Sequence, residues 1–197
     1  MPASELKIVI PALNKQMMKV KIKGVRPMVQ HKWSEKAMKM ILDKQMKKAS
    51  KGREIRDPKQ EYKDSYHYNE KGKIAFPAGG VKKAIVTAAR NIPGVTMSLL
   101  RGALFVLGDK DDLIEVKFKS ERMRTDMVKI NIDTADLRFR GELSDWTMDF
   151  LVEFNADVIS PEQIMNLIQT AGFSSGLGEM RPEKTGFRFG TFEIVTE

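Results

Sequence analysis

The chain contains no cysteine, 2 histidines among 197 residues, and 8% aromatic residues. Without cysteine there is no disulfide, no thiolate metal ligand and no thiol nucleophile. The histidines, His31 and His67, stand far apart in the sequence. No cluster of His, Asp and Glu at ligand spacing accompanies either, so the residues offer no metal site and call for no cofactor. His31 follows the first strand pattern, but no second group is legible to join it in acid–base work. Long apolar runs are missing too. No stretch of about 18 apolar residues occurs, which leaves no candidate membrane helix. Residues 1–13 lack the regions of a signal peptide, so the expected location is cytoplasmic. The phosphate-loop pattern is absent. Gly176-Leu177-Gly178 follows a helical pattern, whereas a dinucleotide fingerprint follows a strand and opens a helix. These absences point away from an enzyme.

What the chain has in excess is positive charge, with a formal total of +8. From Lys15 to Lys59 there are 15 Lys and Arg against 4 Asp and Glu, a local +11 that leaves −3 for the rest. A concentrated basic stretch points to a polyanionic partner more than an evenly basic surface does.

Residues 176–190 form a glycine-rich basic stretch. Glycine reaches backbone angles other residues avoid, and it removes the side chain that blocks close approach. Gly178 represents that property. Arg181, Lys184 and Arg188 bring charge, and Phe187 and Phe189 bring aromatic faces. Single-stranded nucleic acid asks for this combination, because phosphates need cations and unstacked bases need π-surfaces.

Local patterns predict the elements. Residues 19–25 alternate charged and apolar positions and predict a strand, ended by Arg26-Pro27. Ser34 is a candidate N-cap for a helix over 35–49, apolar on one face and lysine-rich on the other. Residues 50–73 are almost free of aliphatic side chains and predict a long mobile insertion that orders on binding. Residues 73–76 predict a short strand, with Pro77 at the start of a helix over 79–90. Runs 99–107, 113–118 and 128–132 predict strands. Runs 135–143 and 146–155 alternate around Ser144-Asp145 and predict a β-hairpin. Ser160-Pro161-Glu162-Gln163 opens a helix that Gly172 is expected to end as a left-handed cap. The last strand is expected over 191–195. The order predicts a single α+β domain over 1–197: a ferredoxin-like (RRM-like) antiparallel sheet with helices on one face and a long inserted basic loop.

Two segments carry a family resemblance. Ala75-Phe76-Pro77-Ala78-Gly79-Gly80-Val81-Lys82-Lys83-Ala84 resembles the apolar–Pro–small–small–apolar–Lys segment of the RAMP superfamily, whose best-known members are backbone subunits of CRISPR effector complexes. Residues 176–190 resemble that superfamily's C-terminal glycine-rich loop. The chain has Lys82-Lys83-Ala84 where the family often has Lys-Gly, and it is shorter than typical backbone subunits. The resemblance implies a ferredoxin-like core that binds single-stranded nucleic acid, with protomers stacked along the strand and residues 50–73 as a thumb. It also implies phosphate contacts at Lys82, Lys83, Arg181, Lys184 and Arg188. A stand-alone viral or mobile-element protein fits the same pattern.

Further candidate contacts follow from charge and aromaticity. Lys21, Lys23 and Arg26 lie at the first strand, Lys47 and Lys48 at the helix end, and Arg53 and Arg56 in the insertion. Tyr62, Tyr66 and Tyr68 are stacking candidates, because the surrounding segment offers no core to join. Arg138 and Arg140 alternate along one strand and line a groove if that face is open. The expected partner is single-stranded DNA or RNA bound by a homo-oligomer, with no membrane. The competing expectation is a protein-interaction module that mimics or joins an effector complex.

Overall fold

Alternation and caps set the elements, and the sheets are assembled from strands distant in sequence. The computed structural model describes residues 10–48, 55–132 and 134–196. In chain order they form β1 (Lys15–Gly24), β2 (Met28–Gln30), α1 (Glu35–Gln45), α2 (Pro58–Asp64), β3 (His67–Tyr68) and β4 (Ile74–Pro77). There follow α3 (Ala78–Ala88), α4 (Met97–Ala103), β5 (Leu104–Leu107), β6 (Leu113–Glu115), β7 (Ser120–Asn131) and β8 (Thr134–Ser144). The chain ends in β9 (Thr147–Asn155), α5 (Pro161–Ser174), α6 (Pro182–Thr185) and β10 (Phe192–Ile194).

The main sheet runs β10-β1-β9-β5, and each neighbouring pair is antiparallel. Helix α3 links β1 to β5, and α5 links β9 to β10. Relabelled as a βαββαβ unit, the strand order is 4-1-3-2, so the protein is α+β and ferredoxin-like. Alternation in β1 buries Val20 and Ile22, while Lys19, Lys21 and Lys23 face out. In β9 the buried set is Met148, Phe150, Val152 and Phe154. Helices α3 and α5 pack together against that apolar face through Val81, Ile85, Ile164 and Ile168, all fully buried. A Ser160–Gln163 capping box starts α5, which satisfies N–H groups the helix itself cannot.

Two small sheets flank the main one, with orders β2-β8-β7 and β3-β4-β6. Here several expectations are corrected. The alternating runs β8 and β9 do not pair with each other. Strand β8 pairs with β7 and β2, and β9 pairs with β1 and β5, so the Ser144–Asp145 turn carries the chain from one sheet to another. Period-two alternation marks a strand but does not name its neighbour. The apolar run 99–107 is helix α4 followed by the short β5, because Thr96 caps the turn by accepting from the Leu99 N–H. Gly172 does not end α5. It lies inside the helix, where an added Cβ would sit 2.0 Å from the Phe192 carbonyl oxygen. The left-handed residue is Gly176, at φ 66°.

The insertion is also more structured than expected. Residues 50–54 lie outside the described residues, but 55–73 hold α2 and β3. Asp57 caps α2 by accepting from the N–H groups of Lys59 and Gln60. Helix α2 packs on β8, and Tyr66 is only 1% exposed. Its ring fills the space that Gly141 leaves open, where a Cβ would come within 2.0 Å of it. Tyr66 is therefore a core residue, and its burial removes it as a stacking platform.

Candidate nucleic-acid interface

The two segments that carry the family resemblance come together in space. Phe76, Pro77, Gly80, Lys83 and Ala84, from the β4–α3 junction, form one wall of a cleft. Gly176–Glu179, Arg181 and Glu183, from the glycine loop, form the opposite wall. Gln30 and His31 at the end of β2, together with His67 of β3, close the floor. The cleft holds about 240 Å³. Helix α1 starts a few residues after His31, so it springs from the cleft rim.

Local chemistry explains how the walls hold their shape. No side chain caps the first turn of α3, whose N-cap position is Pro77. Gly80 leaves room for the Phe76 ring, which an added Cβ would approach at 2.8 Å. Gln30 is buried and spends both ends of its amide on structure. Its Nε2 donates to the Ala75 carbonyl at 3.1 Å, and its Oε1 accepts from the His67 N–H at 3.3 Å. Gly178 is needed for packing within the chain. At φ 77° its bare Cα faces the Val29 carbonyl, and a Cβ would sit 2.3 Å from that oxygen.

The cations of the glycine loop are mostly engaged within it. Arg181 donates from Nε to Glu183 at 3.0 Å and from Nη1 to the Gly178 carbonyl at 2.9 Å. Lys184 donates to Glu179 at 2.7 Å. Glu179 also lies 3.7 Å from His31 Nδ1. His31 and then Lys184 hold its carboxyl down at about 2, against the desolvation that favours the neutral form. His67 is pushed below its ordinary value by burial and by nearby Lys32, so it is an uncharged imidazole at neutral pH. Lys83 is exposed and makes no ion pair among the described residues. It is the one cleft cation expected from sequence whose charge is not already committed.

Most other expected contacts fall elsewhere. Lys21 and Lys23 project from the open face of the main sheet, where Lys23 pairs with Glu193 at 3.0 Å. Arg26 is exposed, while its carbonyl accepts from the buried Trp146 Nε1 at 2.9 Å. Lys47 and Lys48 follow α1, and Lys48 pairs with Asp43 at 3.0 Å. Arg53 lies outside the described residues. Arg56 clamps α2 to β8: it bonds Glu61 and Asp136, donates to the Leu137 carbonyl, and lies 5.5 Å from the Phe139 ring centroid. Tyr62 is half-buried at 5.5 Å from Tyr66, edge to face, and Tyr68 is exposed. Lys82 donates to the Arg101 carbonyl at 2.9 Å and lies 3.7 Å over the Phe105 ring, away from the cleft wall.

Arg138 and Arg140 do not line an open groove. Arg140 is 5% exposed and donates to Asp126 at 3.3 Å, in a network that links Arg122 and Arg124 to buried Glu142. Arg138 lies 3.8 Å from Asp136. Phe189 is covered by the Arg124 guanidinium at 4.7 Å, whereas Phe187 and Arg188 are exposed. The cleft residues that sequence reasoning missed are Gln30, His67, Glu179 and Glu183. The two glutamates lie inside the basic motif, Glu179 five residues before the Lys184 it neutralises and Glu183 two residues after Arg181. That spacing was the available signal.

No family model matches the chain, and no curated protein matches it. The crystal structure of Cmr6 from Pyrococcus furiosus is similar at 11% sequence identity and a TM-score of 0.44, over 93% of this chain and 100% of that one. No helix among the described residues is long and apolar enough to cross a membrane.

Proposed function

We propose that this protein belongs to the RAMP-type proteins and binds single-stranded nucleic acid with little regard to sequence. Several copies lie along one strand, and the protein organises the strand without cutting it. The observation that carries this reading is the meeting of residues 75–84 and 176–190 at one cleft, beside an α1 whose lysines face solvent. Lys39 and Lys44 make no ion pair among the described residues. Uncommitted cations on a projecting helix suit a phosphate backbone, because each contact releases condensed counterions. Lys83 extends that path into the cleft. A cytoplasmic location accords with this role.

The test is fluorescence anisotropy with labelled single-stranded DNA, single-stranded RNA and duplex at two salt concentrations. The expected result is tight single-strand binding that weakens steeply with salt. Absence of binding to all three sinks the reading.

One observation favours a second reading, a protein-interaction module within a larger effector complex. Helix α1 buries none of its residues, and Met38, Met40, Ile41, Leu42 and Met46 are all exposed. An isolated helix of this length is marginal in water, so a partner that covers this apolar face would stabilise it. Salt-insensitive capture of a protein, with no affinity for oligonucleotides, would select this reading.

A further inference from the structure

The cleft is chemically mixed, and that mixture restricts what fits it. Phe76, Pro77, Ala84 and Leu177 give it an apolar side. Glu179 and Glu183 give it two carboxylates, and Lys83 stands at its wall as an uncommitted cation. A small inorganic anion alone would meet both carboxylates. A purely apolar ligand would strip water from them and return no hydrogen bond. The fitting ligand has a flat apolar body, a donor edge for the carboxylates and an anionic end for Lys83. Its size is bounded as well. About 240 Å³ is below the range of drug-sized pockets, and it matches a single heterocycle with its phosphate better than a stacked pair.

We infer that this cleft takes one nucleotide whose base carries an exocyclic amino group, splayed out of a bound strand or free in solution. The base lies against Phe76 and the His67 imidazole, its amino group donates to Glu179 or Glu183, and its phosphate faces Lys83. Each glutamate spends part of its capacity on Lys184 or Arg181, and an ionised carboxylate has about four acceptor sites, so capacity remains. A carboxylate that accepts from an amino-bearing base edge rejects uracil and thymine, which present a carbonyl oxygen there. The inference rests on the strand-binding reading for its strand-borne form and adds a base preference at one position.

The chain's 2 histidines both line this cleft, so they are built-in reporters. The experiment follows the imidazole carbon–proton signals of the full chain by NMR, assigned with His31→Gln, during titration with CMP, AMP, UMP and inorganic phosphate. CMP or AMP is expected to move both signals saturably, and UMP and phosphate are expected to leave them in place. In the strand arm, an oligouridine carrying one central cytidine is expected to bind about tenfold tighter than oligouridine alone. Glu183→Gln is expected to reduce that preference for the cytidine-bearing strand. Lys83→Met, which leaves the loop's ion pairs intact, is expected to weaken CMP binding and serves as the second variant.

Still histidine signals with every nucleotide, together with equal affinity for both oligomers, overturn the inference. Salt-sensitive oligouridine binding in that case leaves the strand-binding reading standing. Histidine shifts with CMP but no strand preference assign the cleft to free nucleotide. Shifts of equal size with phosphate alone overturn the base-recognition claim.

Discussion

In the glycine loop, Arg181 and Lys184 each hold a carboxylate of the same loop; along α1, Lys39 and Lys44 face solvent with no ion pair among the described residues. The two regions look alike in composition, since both are basic and both hold aromatic or apolar residues. Their electrostatic states are opposite. The loop's cations are spent on its own shape, which presses residues 176–190 against β2 and positions the cleft wall. Lys39 and Lys44 are spent on no such pair, so in the proposed role a polyanion would meet their full charge. A count of basic residues overstates the loop and understates the helix. The remaining exposed loop cation, Arg188, resembles Lys39, Lys44 and Lys83 in making no ion pair among the described residues.

This contrast can be broken in four ways, from the largest expected effect to the smallest. Gly190→Ala attacks the loop's shape directly. At φ 67° an added Cβ would lie 1.8 Å from the Leu177 carbonyl oxygen, so a loss on the order of 3 kcal/mol is expected in denaturant unfolding. An unchanged midpoint would mean that the loop is not fixed by this contact.

Glu179→Gln tests the loop's ion pairing. The carboxyl titrates at about 2 in the folded protein against an ordinary value of 4.5. A depressed carboxylate stabilises the fold above its unfolded pKa and loses that contribution as pH falls through its folded one. The wild type is therefore expected to lose about 2 kcal/mol between pH 5 and pH 2 that the variant does not lose. Thermal melts across that window measure it, and parallel curves for the two proteins would refute it.

Reversing Lys39 and Lys44 to Glu is expected to leave the melting temperature unchanged. It is expected to cut single-strand affinity about tenfold and to lower the log–log salt slope by about 1.4. A slope that stays put would remove α1 from the strand path.

The smallest effect separates two adjacent lysines. Lys83→Met is expected to lower the salt slope by about 0.7, while Lys82→Met is expected to leave it unchanged, because Lys82 is already engaged with the Arg101 carbonyl and the Phe105 ring. Equal effects from both would show that prior engagement does not matter.

The fold was legible wherever the signal was local. Ser34, Ser160 and Pro161 announce helix starts, and the alternation in β1 and β9 announces strands with a buried face. Sheet membership was not legible. Strand β8 is chosen by β2 and β7, and nothing within its own eleven residues distinguishes those partners from β9. Tyr66 shows the same limit for a side chain. Its burial depends on the missing side chain of Gly141, far along the chain, and no window around Tyr66 contains that fact. For the site, two motifs were visible, and their meeting was not. His67 and Gln30 complete the cleft through a side chain–backbone hydrogen bond between distant segments. The neutralisation of Arg181 by Glu183, two residues away, was within reach of sequence reasoning, and charge counting passed over it.

Strand β1 occupies an interior position in the main sheet, yet both its partners, β9 and β10, are translated more than 120 residues later. On the ribosome it waits, unpaired, for most of the synthesis of the chain. A naked strand of this length is a template for wrong pairing with other chains. Its alternating lysines, Lys15, Lys19, Lys21 and Lys23, act during that wait as gatekeepers, because like charges repel a second copy in register. Two of them, Lys15 and Lys23, are released from this duty only when Glu153 and Glu193 arrive to pair with them in the finished sheet. The same charges that outline one face of the mature protein thus protect its youngest form from aggregation.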